Sequence, residues 1–331
     1  MKIVGVAMVR NEADIVEAFV RHNLTLLDGL VIVDHGSADE TPRILAALAA
    51  EGLPISVLAN AAPGYAQVEV TTLAVRHAFA RSDADFVVPL DADEFVKTPS
   101  RSTMERALAA IPPRRHGLMT WHTYVPDFDT PYRDIVASAR SARRLAAERH
   151  NHGKVVVARH FTATARALVA GGNHGVVPWH GARTEDLEPH HVLAPGDVAV
   201  AHLPIRNAPQ FVLKTVIKRL ARIAAGRDWS AQFDRRETYD QIRAGTPLDA
   251  TLFRAAAVNF NVAPERRADP GAVALVDDPF LADIRLRYTP AGVPDPLPPL
   301  LAAIEQLADL DAKARRQRPP TAFIAAGESR R

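Results

Sequence analysis

Three short clusters of polar residues have types and spacings suited to chemistry, and each follows an apolar run. Asp91-Ala92-Asp93-Glu94-Phe95 comes directly after Phe86–Leu90. Carboxylates two residues apart at the end of a buried strand suit a hard divalent cation shared with a phosphate-bearing ligand. A bare D-x-D is also a common solvated turn, so its position after an apolar run is what points to a ligand. Asp34-His35-Gly36-Ser37-Ala38-Asp39-Glu40-Thr41 follows Leu30–Val33. Gly36 permits a tight turn and Ser37 or Asp39 can cap the next helix. Asp34, at the strand tip, is placed to hold a ribose or base edge; the plainer reading is a strand–turn–helix junction. Arg10-Asn11-Glu12 follows Ile3–Met8, with Asn11 as a simple helix cap in the plainer reading.

A fourth signal is the crowding of histidine. Eight of the 13 histidines fall between His150 and His202. Imidazole serves as metal ligand, proton acceptor or phosphate donor, though most such residues are ordinary. His202 ends a strand-like run and precedes Arg206. His174 lies in the Gly-rich turn Gly171-Gly172-Asn173-His174-Gly175. A His-rich metallohydrolase is a weaker reading of this crowding. Missing motifs narrow the chemistry further. There is no G-x-G-x-x-G, phosphate loop or H-E-x-x-H zinc helix, and no G-x-S-x-G nucleophile elbow.

The elements that must position these clusters alternate. Strands are expected at Ile3–Met8, Leu30–Val33, Ile55–Leu58 and Phe86–Leu90. Helices are expected at Glu12–Leu27, Thr41–Ala50 and Val68–Ala80, from their apolar spacing. Repeating βα units imply a mostly parallel sheet with helices on both faces. All three polar clusters then lie at carboxyl ends of strands, where ligands of open α/β sheets bind. Past Pro112 and Pro113, which end a helix, strands are expected at Leu118–Val125, Val155–Ala158 and Val198–Leu203. Arg140–Glu148 reads as a short helix or a mobile segment. From Pro209 the chain turns helical, Leu300–Ala314 reads as a last amphipathic helix, and Arg315–Arg331 as a frayed tail.

The 331 residues make one large domain or two small ones. Hydrophobic residues are 47% and charged residues 24%, as in a globular protein. The 40 basic and 38 acidic side chains nearly cancel, a poor footprint for nucleic acid. Without cysteine there is no disulfide, thiol nucleophile or Cys-ligated metal. No run reaches the roughly 18 apolar residues of a membrane helix, and the opening run is too short for a signal peptide. The expectation is a cytoplasmic protein.

In order and spacing, VRNEADIVEAFVRHNL, VIVDHGSADET, YAQVEVTTLAVRHAFA and DFVVPLDADEF resemble the family 2 glycosyltransferases of GT-A fold. The resemblance is closest to the subgroup with R-N-E-x-D near the N-terminus and D-A-D-E-F after the fourth strand. AHLPIRNAPQFVLK resembles that subgroup's later segment, and the likeness covers roughly residues 1–220. It implies an α/β, GT-A-like domain over 1–205, a helical C-terminal extension over 206–314 and a tail over 315–331.

The resemblance also implies transfer of a sugar from a nucleotide-diphosphate donor (UDP-, GDP- or dTDP-linked) to a glycan or glycolipid acceptor. Inversion, Mn²⁺ or Mg²⁺ dependence and a role in surface polysaccharide or glycoconjugate synthesis go with it, as does contact with the inner face of a membrane. Carried over by position, Arg10, Asn11 and Glu12 line the nucleotide pocket and Asp34 meets the base or ribose. Gly36, Gln67 and Asp91 join the donor site. Asp91, Asp93 and His202 hold the metal, with Asp93 the direct ligand. His35 departs from the family's usual Asp. No clear acidic motif supplies the base, so His174, Glu94, Glu185 and Asp186 stay open, with His174 preferred. The competing readings are a nucleotidyltransferase of related fold and an inactive homologue that binds a glycan or partner.

Overall fold

The computed structural model describes residues 1–60, 66–150, 152–182, 184–224 and 233–316. The first half alternates as the sequence requires: β1 (Ile3–Val9), α1 (Val16–Asn23), β2 (Gly29–Asp34), α2 (Thr41–Ala50), β3 (Ile55–Ala59), α3 (Gln67–Arg81) and β4 (Phe86–Leu90). The strand order β4-β1-β2-β3 is parallel throughout.

Its two faces follow from side-chain alternation along each strand. Ile3, Ala7 and Val9 of β1, with Leu30 and Ile32 of β2, join Phe19 of α1 and Ile44, Leu45 and Leu48 of α2 in one core. Val4, Val6, Val31 and Val33 point the other way, onto Val70, Val75 and Phe79 of α3. Each of these large side chains contributes about 1.5–3 kcal/mol when fully buried. The register pairs Val9 with Asp34 and Ala7 with Leu90. The chain therefore leaves β1, β2 and β4 at one edge of the sheet.

The middle of the chain adds β5 (Glu94–Lys97), α4 (Arg101–Ala109), β6 (His116–Val125), α5 (Ile135–Ser141), β7 (Arg143–Leu145) and β8 (Gly153–Ala158). A small hairpin, β9 (Leu168–Val169) with β10 (Val176–Val177), precedes β11 (His190–Val192) and β12 (Ala199–His202). β8 pairs antiparallel with both β4 and β6, so the parallel sheet becomes mixed beyond β4. β6 is long enough to carry β8 and β7 on one edge and β11 and β12 on the other. β12 is also the antiparallel partner of β5. The C-terminal part forms α6 (Ala208–Ala224), α7 (Phe233–Arg243), α8 (Ala250–Val258), β13 (Leu275–Val276) and α9 (Leu297–Arg316).

Three expectations change. The first helix begins at Val16 rather than Glu12, because the backbone before it is committed elsewhere. Asn11 adopts a φ of 55°, Glu12 N–H donates to Thr41 Oγ1 and Ala13 N–H to Asp39 Oδ2. Arg140–Glu148 is neither one helix nor an unstructured segment. Asp134 caps the helix Ile135–Ser141 by accepting from Ala137 N–H, and Arg143–Leu145 then pairs with β6 and β13. The strand Glu94–Lys97 was not expected. The tail beyond Arg316 lies outside the described residues.

Candidate functional site

The β2 tip is a tight turn. Gly36 has a φ of +71° with open space where a side chain would stand. Asp34 Oδ1 accepts from Ser37 N–H at 3.1 Å and from Ser37 Oγ at 2.6 Å. Asn11 binds this turn rather than capping α1. Its N–H donates to Ser37 Oγ at 2.9 Å and its Oδ1 accepts from Ala38 N–H at 2.8 Å. Arg10 leaves the tip of β1; burial lowers its pKa, against the opposing charge of Asp34.

The acidic tip of β4 is held from several sides. Asp91 Oδ1 accepts from Gln67 Nε2 at 3.1 Å and from Asn173 Nδ2 at 3.3 Å. Its Oδ2 accepts from Lys154 Nζ at 2.8 Å. Gln67, at the start of α3, also accepts from Gly172 N–H at 3.0 Å, which ties the Gly-rich turn to Asp91. Lys154 reaches Glu94 at 2.6 Å and the Gly172 carbonyl at 2.7 Å. Both Lys154 and Glu94 are buried. Burial pushes the Glu94 carboxyl up to about 8, with Lys154 opposing and Asp91 and Asp93 reinforcing the shift. Burial opposes the charge of Lys154, but Asp91 and Glu94 overcome it and hold the ammonium protonated.

Asp93 faces the other way, into a buried ionic network. Its Oδ2 meets Lys214 Nζ at 2.8 Å and Arg206 at 3.6 Å. Burial alone would raise its pKa; Lys214 and Arg206 outweigh that and hold it well below the usual range. Arg206 is fully buried and forks onto Asp14 at 2.9 and 3.0 Å. It also meets Glu12 at 2.6 Å, and Lys214 meets Glu12 at 3.0 Å. The tips of β1 and β4 and helix α6 are thereby locked together.

His202 arrives through strand pairing. In the β5–β12 ladder His202 stands opposite Glu94, and Leu203 N–H donates to the Asp93 carbonyl at 3.0 Å. This leaves His202 Nε2 3.7 Å from Asp93 Oδ1. That distance is too long for a hydrogen bond, and it suits two ligands of one cation. His202 Nδ1 is buried without a hydrogen-bond partner among the described residues. Burial, then the charges of Lys154 and Lys214, hold the ring neutral against the pull of Asp93, so the nitrogen lone pair is available. Asp93, Glu94 and His202 offer ligand atoms close enough to hold a metal ion, and the donors suit Mn²⁺ or Mg²⁺. Glu94 is already engaged by Lys154 and by the amide of Asp91 at 2.9 Å. Asp93 and His202 are therefore the better-placed pair. Among the described residues, the ion pairs of Glu12, Asp14, Asp91, Asp93 and Glu94 all run to Lys154, Arg206, Lys214 and His202.

His116, His160 and Glu188 form a second group close enough for a metal, but its hydrogen bonds argue against one. Ala158 N–H donates to His116 Nδ1 at 3.1 Å, so that nitrogen carries no proton. The ring proton sits on Nε2 and is donated to Glu188 Oε2 at 3.2 Å. A metal on Nε2 would displace it.

The crowded histidines divide between these regions. His150, His152, His174 and His202 surround Trp121 with ring centroids 4.3–6.0 Å away. They build an aromatic wall beside Lys154 and Asp91. His174 Nδ1–H donates to the Gly153 carbonyl at 2.8 Å. Burial, aided by Lys154, lowers its pKa to about 4. Asp186 and Glu185 lie in the turn Thr184–Asp186. The next residue, Leu187, packs on Gly175, where an added Cβ would stand 2.6 Å from its Cδ2. Sequence reasoning missed Lys154 and Trp121. A lone Lys in the apolar run Gly153–Ala158 was the available signal, since a lysine in a buried strand needs a partner.

The family profile described as Glycosyl transferase family 2 matches residues 6–137. No curated protein matches the sequence. Among solved structures, S. aureus TarS is 12% identical with a TM-score of 0.39, over 80% of this chain and 44% of that one. This chain thus spans less than half of the TarS chain. A mannosyltransferase from Pyrobaculum calidifontis, solved with GDP-Man and Mn²⁺, is 15% identical with a TM-score of 0.36, over 96% and 80%. Glucosyl-3-phosphoglycerate synthase from Mycobacterium tuberculosis, solved with Mn²⁺, UDP-glucose and phosphoglyceric acid, is 18% identical with a TM-score of 0.36, over 75% and 81%. Residues 6–137, with Arg10, Asp34 and Asp91–Glu94 at their strand tips, are thus the part of the chain that matches glycosyltransferase family 2.

Proposed function

We propose that the chain transfers a sugar from a nucleoside-diphosphate donor to an acceptor hydroxyl, with inversion and with Mn²⁺ or Mg²⁺. The observation that carries this reading is the Asp93–His202 pair, 3.7 Å apart at the carboxyl edge of the sheet, on the same edge as Arg10 and Asp34. Arg10 and Asp34 take the nucleoside, and Asp91, steadied by Gln67 and Lys154, takes ribose or sugar hydroxyls. Asn11 and Gly36 shape the turn beneath the nucleoside, while Glu12 and Arg206 hold Asp93 in place. When bound, the cation offsets charge on the leaving diphosphate.

In the reaction the acceptor oxygen bonds to C1 of the sugar as the C1–O bond to phosphate breaks. The electron pair leaves with the diphosphate, and the acceptor proton passes to a base. We assign the base to His174. It is neutral near pH 7, and its Nδ1–H bond to Gly153 leaves Nε2 as the acceptor nitrogen. Asp186 is the alternative; Glu94, buried and engaged, holds Lys154 instead. A glycan or glycolipid acceptor on the cytoplasmic face of a membrane, in surface polysaccharide or glycoconjugate synthesis, fits this chemistry. No helix among the described residues is long and apolar enough to cross a membrane.

The test is a panel of UDP-, GDP- and dTDP-sugars screened for thermal protection with and without Mn²⁺, followed by product analysis. Protection by one donor and release of its nucleoside diphosphate support transfer. Release of pyrophosphate from UTP, GTP or dTTP supplied with a sugar 1-phosphate would indicate a nucleotidyltransferase instead. Protection without turnover, over a range of acceptors, would indicate a binding homologue. Asp93→Asn keeps the shape and removes one charge, and it should abolish the Mn²⁺-dependent part of the protection. Unchanged Mn²⁺-dependent binding in calorimetry would refute the metal role of Asp93.

A further inference from the structure

The far end of the chain closes over the Arg10 loop. Arg10 Nη2 donates to Gln306 Oε1 of α9 at 3.1 Å. Its Nε is buried without a hydrogen-bond partner among the described residues. Just before and at the start of α9, Pro294, Pro296 and Pro299 line a cavity of about 20 Å³ together with Asn11, Ala13 and Asp14. That is room for about one water, so the cover is tight. Asp295 Oδ1 accepts from Leu297 N–H at 2.9 Å and starts the helix, and α9 then packs against α6. The helix that carries Gln306 is thus anchored to the same α6 that supplies Lys214.

This contact has a physical use. An arginine side chain loses about 1.5–2 kcal/mol of rotamer entropy when it is fixed. Attraction to Asp34 alone would not select one rotamer, because a Coulomb force has little directionality. A hydrogen bond from Nη2 to a fixed amide oxygen does select one. Ordering Arg10 before binding spares the ligand that entropy.

We propose that Gln306 is a positioning residue for nucleoside-diphosphate binding: through its hydrogen bond to Nη2 it fixes the Arg10 guanidinium at the tip of β1, which makes α9 part of the donor site. The inference rests on the functional reading above. The test is calorimetry of UDP, GDP and dTDP with Mn²⁺ on the full chain, for wild type, Gln306→Leu and Gln306→Glu. Gln306→Leu should weaken nucleotide binding about tenfold, the scale of one hydrogen bond to a charged group, with the thermal midpoint of the ligand-free protein nearly unchanged. Gln306→Glu, which can still accept from Arg10, should restore binding to within about threefold of wild type. If donor turnover is followed, the Leu variant should raise the donor KM and leave kcat near wild type. Equal nucleotide binding by wild type and Gln306→Leu would overturn this inference and leave the functional reading intact. Failure of wild type to bind any of the three nucleotides would overturn both.

Discussion

Lys154 shows how much one side chain can settle at this site. Its ammonium is the common partner of Asp91, Glu94 and the Gly172 carbonyl, and it lies 5.5 Å from the centre of the Trp121 ring. Removing one partner of a buried pair leaves an uncompensated charge and typically costs about 3–5 kcal/mol. Lys154→Met should therefore lower stability by about that amount in urea unfolding. Adding Glu94→Gln removes the second carboxylate beside Asp91 and should recover a good part of the loss. A single variant as stable as wild type would mean that the carboxylates do not need the cation. Asp93 differs from Asp91 in its surroundings: Lys214 and Arg206 keep it ionised, and its Oδ1 faces a neutral imidazole.

At the scale of elements, the turn 171–175 is sensitive to substitution. Gly172 has a φ of +70°, and a Cβ there would lie 2.5 Å from His174 Nε2. Gly172→Ala must both strain the backbone, by an amount on the order of 1–3 kcal/mol, and push the imidazole aside. If His174 takes the acceptor proton, Gly172→Ala and His174→Ala should each lower kcat by roughly 10²-fold, with donor affinity nearly intact. Near-wild-type kcat in His174→Ala would pass the role to Asp186.

At the start of β6, His116 gives a pH signature. Burial, with His160 and His190 adding to it, lowers its pKa to about 3 from an ordinary 6.5. The unfolded chain takes up this proton at a higher pH than the folded one, so the stabilising effect is complete above about 6.5 and is lost as pH falls toward 3. His116→Asn should flatten the acid limb of a plot of unfolding free energy against pH across that window. An unchanged slope would show that His116 is not buried neutral.

At the scale of the whole molecule, the C-terminal part is folded back onto the part that matches family 2. Glu17 of α1, fully buried, accepts from the N–H groups of Arg287, Tyr288 and Thr289, each at 2.8 Å, and from Thr289 Oγ1 at 3.0 Å. Arg21 pairs with it at 2.9 Å. Burial disfavours this carboxylate, and the backbone donors outweigh the penalty and lower its pKa. Glu17→Ala should cost about 2–3 kcal/mol through the unmade hydrogen bonds. It should also increase hydrogen exchange at 287–289 ahead of global unfolding. Exchange there that is unchanged would mean the return segment is held by Phe280 and its neighbours in the core rather than by Glu17.

The sequence by itself determined the half of this protein whose signals are local. Apolar alternation and helical spacing specify β1 to β4 and α2 to within about a residue, because their apolar faces have one burial partner, the sheet they build. Strand tips at a common edge follow from that topology, which is why Arg10, Asp34 and Asp91 were legible as neighbours. The order and spacing of the same motifs pointed to family 2. What the tertiary structure decided is which charges meet. Lys154 reaches Asp91 only through the β6–β8–β4 pairing, and His202 reaches Asp93 only because Glu94–Lys97, four residues with no turn signal of their own, become the partner of β12. Gln306 meets Arg10 across 296 positions. Such contacts depend on long-range register and on the desolvation of paired charges, neither of which leaves a periodic trace in the chain.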